Sequence, residues 1–250
     1  MNKNLNDELI QALLDQKEIF GDDLFETRSE IQKYKSKLRK TEIVRNSLKG
    51  DEEIPMFEDP KENWEKTQSL EELNSLIKDC TKCSLHKSRN KFVFGVGNPD
   101  ADVLIVGEGP GAEEDKQGEP FVGRAGKLLN DILKAINFER SEVYIANIVK
   151  CRPPGNRTPL AEEMDCCFPY LNKQIELIKP KLILALGLTA AQGLLRKRDS
   201  LTSMRGKLFD YKGIKTMVTY HPAALLRNPQ WKRGCWEDVQ KFRKLYDDMQ

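Results

Sequence analysis

The chain of 250 residues has no apolar run approaching the roughly 20 residues needed to span a bilayer, which excludes an integral helical membrane protein. Its first eight residues, Met1 to Glu8, do not pass from a basic stretch into an apolar core, so no secretory leader is expected and the expected location is the cytoplasm. In a chain of that kind the six cysteines are not a disulfide framework; clustered cysteines there serve metals or catalysis. A phosphate-cradling GxxxxGK[ST] loop is also missing, since Gly123-Arg-Ala-Gly126-Lys127 has the wrong spacing and runs on into Leu128. Nor is there a marked surplus of one charge: Lys and Arg number 41 against 39 Asp and Glu, a net of +2.

That near balance hides an asymmetry. Residues 1–69 carry 12 Lys and Arg against 16 Asp and Glu, a net of −4, whereas residues 70–250 carry 29 against 23, a net of +6. A basic second part suits a polyanionic partner, but on charge alone an ordinary solvated surface is the better account. Leu5, Leu9, Ile10, Leu13 and Leu14 recur at helical spacing and predict an amphipathic helix over about Asn4 to Phe20. Glu26 to Leu48 is dense in Lys, Arg and Glu, with a narrow apolar stripe of Ile31, Tyr34, Leu38 and Ile43. Gly50 to Lys66, with Pro55 and Pro60 among acidic residues, reads as a linker. Residues 1–69 are thus expected to form a helical or disordered extension, either an arm for a protein partner or a tail. The thin stripe favours the tail.

Beyond Leu70 the pattern alternates. Apolar, β-rich runs at Val103–Gly107, Val143–Val149, Leu182–Gly187 and Thr216–Tyr220 are separated by helical patterns at Ala125–Ile136, Leu160–Ile178 and Leu188–Leu195, and Trp231–Asp248 follows the last. Alternation of this kind predicts an α/β domain over 70–250, with a mainly parallel sheet covered on both faces. Ligand sites in such sheets lie beyond the carboxyl ends of the strands. The loops so singled out are Glu108–Gly123, Lys150–Pro159 and His221–Pro229.

Cys80-Thr-Lys-Cys83 sets two thiols within reach of one metal centre, Cys151 follows a strand, and Cys166 and Cys167 fall on the next helix. Two close ligands and two remote ones can complete a tetrahedral sulfur site, for zinc or for an iron–sulfur cluster alike. Buried apolar cysteines or a redox dithiol are the plainer readings of single elements of that set. Cys235 reads as a packed residue of the last helix.

The loop Gly107-Glu-Gly-Pro-Gly-Ala-Glu-Glu-Asp115, continued by Gly118-Glu-Pro-Phe-Val-Gly123, lets backbone approach a ligand closely. Its acidic run Glu113–Asp115 argues against phosphate as that ligand. Asn147 sits near the end of an apolar strand, a costly position for an amide unless something satisfies it. His221 directly follows another strand, where a His facing a glycine loop is a catalytic candidate.

Taken together, the glycine loop with Pro120-Phe121-Val-Gly, Lys150-Cys-Arg-Pro-Pro-x-Asn156 and His221-Pro-x-x-Leu-Leu resemble, in order and spacing, the type-4 uracil-DNA glycosylases. The resemblance covers about Leu70 to Asp248. It implies a three-layer αβα sandwich, uracil-containing DNA as partner, and hydrolysis of the N-glycosidic bond of a flipped uracil, leaving an abasic site in base excision repair. It implies a 4Fe-4S cluster on Cys80, Cys83, Cys151 and Cys167, with Cys166 as a competing neighbour. Phe121 would stack on the base, Asn147 would read O4 and N3–H, and Gly107, Glu108 and Gly109 would line the pocket. Glu114 would crowd C5, and His221 would donate to O2. Asn156, with Glu108, would position the attacking water. Leu225, Leu226, Arg227 and Arg157 would touch DNA, the leucines as a wedge. The rivals are a non-catalytic iron–sulfur nucleic-acid-binding module of the same fold, and an iron–sulfur electron carrier.

Overall fold

The computed structural model describes residues 63–249, so the helices expected within residues 1–62 lie outside the described residues. Six strands are formed: Val96–Gly97 (β1), Val103–Gly107 (β2), Tyr144–Asn147 (β3), Leu182–Leu186 (β4), Leu208–Tyr211 (β5) and Ile214–Thr219 (β6). They make one sheet in the order β1-β3-β2-β4-β6-β5. The four inner strands are mutually parallel, and β1 and β5 add antiparallel edges. Every residue of β2, β3 and β4 is buried, as expected of strands covered on both faces.

The strand period of two divides these apolar residues between two layers. Leu104, Val106, Ala146, Ile183 and Val218 pack with the helices Leu70–Ile77, Ala161–Ile178 and Leu188–Leu195. Val103, Ile105, Ile145, Leu184 and Met217 pack with Arg124–Ala135 and Lys232–Asp247. On the helix Arg124–Ala135, Leu129 and Leu133 stand four residues apart and are fully buried, each contributing about 1.5–3 kcal/mol of transfer free energy. The result is the sheet covered on both faces that the alternation predicted, and the αβα sandwich that the resemblance implied. Among the described residues no helix is long and apolar enough to cross a membrane.

Two boundaries differ from expectation. The packed core begins before Leu70: Trp64, on a short turn Asn63–Lys66, is buried edge-on against Tyr170 at 5.0 Å. The acidic, proline-bearing composition around it had suggested linker through Lys66, yet one large aromatic with a partner suffices to order that turn. The edge strands β1 and β5 were not expected, being too short to carry a pattern. β5 and β6 form a hairpin through Lys212 and Gly213, both at positive φ (52° and 86°), as a two-residue turn matched to strand twist requires.

All four parallel strands end on the same side. Gly107 pairs with Asn147 and Leu186 with Thr219, which sets the loops after β2, β3 and β6 around one crevice. From β2 the chain goes to β3 on one side and later to β4 on the other, the switch point at which open α/β sheets bind ligands.

Candidate active site

A cavity of about 380 Å³ occupies that crevice. Glu108, Gly109, Glu114, Phe121, Asn147, Asn156, Arg157, His221 and Arg227 all line it, so nine expected site residues from three remote loops meet there. Gly107 lies beneath it. A Cβ at that position would collide with Asn147 Oδ1 and come within 2.7 Å of Phe121 Cζ, so the glycine is what admits both side chains.

Asn147 ends β3 and is 2% exposed. Its Oδ1 is a buried acceptor with no hydrogen-bond partner among the described residues. Leaving such an atom unpaired costs about 1–3 kcal/mol, and its place on the cavity wall opens it to a donor from a bound ligand.

His221 caps the helix Pro222–Arg227, its Nδ1 accepting the Ala223 N–H at 3.1 Å. An accepting Nδ1 leaves the proton of the neutral ring on Nε2. Burial, then the Arg227 charge, holds the imidazole down at about 4, well below its ordinary 6.5. The ring stacks on Phe121 with centroids 5.4 Å apart, and Gly187 (φ 87°) makes room behind it, where a Cβ would stand 3.0 Å from His221 Cβ. His221 is therefore a neutral donor at physiological pH.

Phe121 is buried at φ 53°, a backbone conformation costing a bulky residue about 1–3 kcal/mol. It persists because both flanks are tethered. Arg140 Nη2 donates to Pro120 O at 2.7 Å, and Glu114 Oε1 accepts from Val122 N and Gly123 N, each at 3.0 Å. The other Glu114 oxygen accepts from Gly111 N at 3.1 Å, so this carboxylate is a fixed wall of the pocket.

At the rim, Asn156 is exposed at φ 57°, and its Oδ1 accepts from Arg152 Nε at 2.7 Å. Glu108 is half-buried, and its carboxylate has no hydrogen bond among the described residues. Arg157 forks onto Glu163 at 2.8 and 2.7 Å, which leaves it less free for phosphate than expected. Glu163 is buried, also accepts from Ser84 Oγ and Leu160 N, and is held at about 2, chiefly by the Arg157 bond. The two leucines separate: Leu225 is 1% exposed in the core, Leu226 is 44% exposed. Leu225 is thus corrected from wedge to core residue, because adjacent helical positions point about 100° apart.

The four expected thiols gather against one apolar layer: Cys151 and Cys167 buried, Cys80 and Cys83 half-buried. Arg89 Nη1 donates to Cys80 O at 2.6 Å and to Cys151 Sγ at 3.2 Å, Tyr170 Oη donates to Cys80 Sγ at 3.2 Å, and Lys150 N donates to Cys167 Sγ at 3.3 Å. Burial foremost, then neighbouring thiolate charge, pushes the Cys83 and Cys151 thiols up, and burial takes Cys167 to about 12. Such a set ionises readily only with a cation to share the charge, which fits a metal centre. Cys166 is half-buried, outside that apolar layer but near Cys83. Cys235 is buried in the opposite layer. Among the described residues no three His, Cys, Asp or Glu side chains converge closely enough to hold a single metal ion.

Sequence reasoning missed Arg89, Glu163, Tyr170 and Lys150 as organisers of these loops. Lys150 had a visible signal, a cation directly continuing the apolar run of β3, and it is fully buried.

The family described as the uracil DNA glycosylase superfamily matches residues 94–248. A type-4 uracil-DNA glycosylase of Thermotoga maritima is 46% identical over 186 residues, covering 73% of this chain and 97% of that protein. The type-4 enzyme of Pyrobaculum aerophilum is 45% identical over 181 residues, covering 69% and 92%. A type-5 uracil-DNA glycosylase of the same organism is more distant, at 31% over 146 residues, covering 52% and 64%. With a mainly parallel sheet as expected, and Asn147 and His221 facing one crevice, the chain belongs to the uracil-DNA glycosylase superfamily and, within it, to the type-4 family.

Proposed function

We propose that this protein excises uracil from DNA by hydrolysing its N-glycosidic bond, leaving an abasic site for base excision repair. The observation that carries the proposal is the pairing of Asn147 Oδ1, an acceptor without a partner among the described residues, with a neutral imidazole donor, His221, across one cavity. Uracil offers the complement: its N3–H donates to Asn147 Oδ1, the Asn147 amide donates to O4, and His221 Nε2–H donates to O2. Cytosine has an acceptor at N3 and donors at its exocyclic amine, so a fixed amide rejects it. The clamped Glu114 carboxylate closes the wall where thymine carries its methyl group.

The base must leave the stack to reach such a pocket, and Phe121 supports its flipped face. Cleavage places negative charge on the departing uracil, and the His221 donor strengthens as that charge builds. Water attacks the sugar from the side of Asn156 and Glu108, which both line the cavity and would orient it. Leu226 fills the gap in the duplex, and Arg227 contacts the phosphates around it.

The thiols of Cys80, Cys83, Cys151 and Cys167 would hold a 4Fe-4S cluster. The gathering of these thiols against one apolar layer, with Arg89, Tyr170 and the Lys150 N–H donating to three of their sulfurs, supports a thiolate-bound centre there. When bound, the cluster would brace the three segments that carry Cys80 and Cys83, Cys151, and Cys167. We assign the protein to the cytoplasm, at the nucleoid; residues 1–69 would serve as a tail or as an arm for a protein partner. The test is incubation with single strands carrying one uracil, one thymine or one cytosine, followed by alkali. Cleavage of the uracil strand alone is expected; intact uracil strands together with tight binding would favour the non-catalytic module.

A further inference from the structure

Lys150 is fully buried, lies outside the cavity lining, and is used by no step above. Burying an ammonium without a carboxylate partner costs several kcal/mol, and an apolar side chain of similar volume would fill the space at less expense. The cation is spent instead on two carbonyl acceptors. Its Nζ folds back to Asn147 O at 3.0 Å and reaches Gln174 Oε1 at 2.5 Å. Gln174 belongs to the helix Ala161–Ile178, two turns beyond Cys167, and its own amide donates to Phe94 O at 3.0 Å. The Lys150 backbone N–H meets Cys167 Sγ at 3.3 Å. One residue thereby joins the end of β3 to the thiol-bearing helix.

Asn147 needs such a brace. Its Oδ1 has no partner among the described residues, so the position of the amide is set from its backbone side. On the pocket side, Gly107 offers no side chain to support it, because any Cβ there would collide with Asn147 Oδ1. Lys150 fixes the Asn147 carbonyl from behind and anchors it to a rigid helix.

We propose that Lys150 is a positioning residue for base recognition, orienting Asn147 by tying its peptide carbonyl, through Gln174, to the thiol-bearing helix. The inference rests on the base-reading role proposed for Asn147. A displacement of about 1 Å at a reading group can cost up to about 10²-fold in rate.

The experiment is a double-mutant cycle on the full chain: single-turnover uracil excision by wild type, Lys150→Met, Asn147→Ala and the double variant, with inhibition by free uracil and visible absorbance measured alongside. Lys150→Met is expected to slow excision by roughly 10-fold to 100-fold and weaken inhibition by uracil, with absorbance and DNA affinity retained. The double variant should be no slower than Asn147→Ala within about 2-fold, since Lys150 would have nothing left to position. Losses that multiply, or Lys150→Met acting at the wild-type rate, would overturn the proposal. Should Lys150→Met fail to fold, Gln174→Met removes the far anchor and enters the same cycle with the same criteria. Asn147→Ala acting at the wild-type rate would instead overturn the base-reading role itself, a distinguishable failure.

Discussion

At the scale of single residues, the chemistry turns on which nitrogen of His221 carries a proton. The Ala223 N–H occupies Nδ1, so Nε2 is the donor and the ring is needed neutral. If that donor acts mainly in the transition state, His221→Ala should slow single-turnover excision by roughly 10²–10³ while DNA affinity stays within a few-fold. Parallel loss of rate and binding would make it a contact residue instead. The pH profile follows from the same geometry. With the imidazole held at about 4, protonation is not expected to affect the rate between pH 8 and 5; an acid limb from His221 should begin only as pH falls toward 4, when the added proton would displace the Ala223 bond. An acid limb centred near 6.5 that disappears in His221→Ala would contradict this. Asn147 and His221 were legible in the sequence because polar residues at the ends of apolar strands stand out. The tautomer was not, because it depends on the angle at which the following helix begins.

Elements show where the one-dimensional pattern loses resolution. The inner strands announced themselves as continuous apolar runs, and the long helices by their period, to within a few residues. β1 and β5 carry two and four residues, too few for a period to form. The six-residue helix Pro222–Arg227 is the case with functional weight. Read as a string, Leu225 and Leu226 are equivalent; wound into a helix, one enters the core and the other stays at the surface. Leu226→Ala should therefore lower excision from paired U·A substrates more than from single strands, where no stacked partner strand resists flipping. Equal losses on both substrates would remove the wedge role. Leu225→Ala belongs to another class: it opens a cavity beneath the same helix and should cost about 2–5 kcal/mol of stability.

Across the whole molecule, three sequence-distant segments supply the thiols, and nothing in a CxxC spacing says which remote cysteines complete the set. The resemblance to a family singled out Cys151 and Cys167, and the packing adds that these two are the buried ones. In anaerobically purified protein, Ser at Cys80, Cys83, Cys151 or Cys167 is expected to abolish the broad visible absorbance of an iron–sulfur centre and to weaken folding. Cys166→Ser and Cys235→Ser should keep both; zinc in place of iron would refute the cluster. The buried organisers Lys150 and Glu163 were less legible, since Lys150 also reaches Gln174, 24 positions on, and Glu163 also holds Ser84, 79 positions back. The hairpin at Lys212 and Gly213 lies at the opposite end of β6 from His221, across about 20 Å of strand. Lys212 is exposed at that turn and already carries a side chain at positive φ. A linker to a glass surface or a bulky dye attached at that turn would hold the molecule by its back, leaving the pocket mouth facing solution for watching single DNA strands arrive and depart.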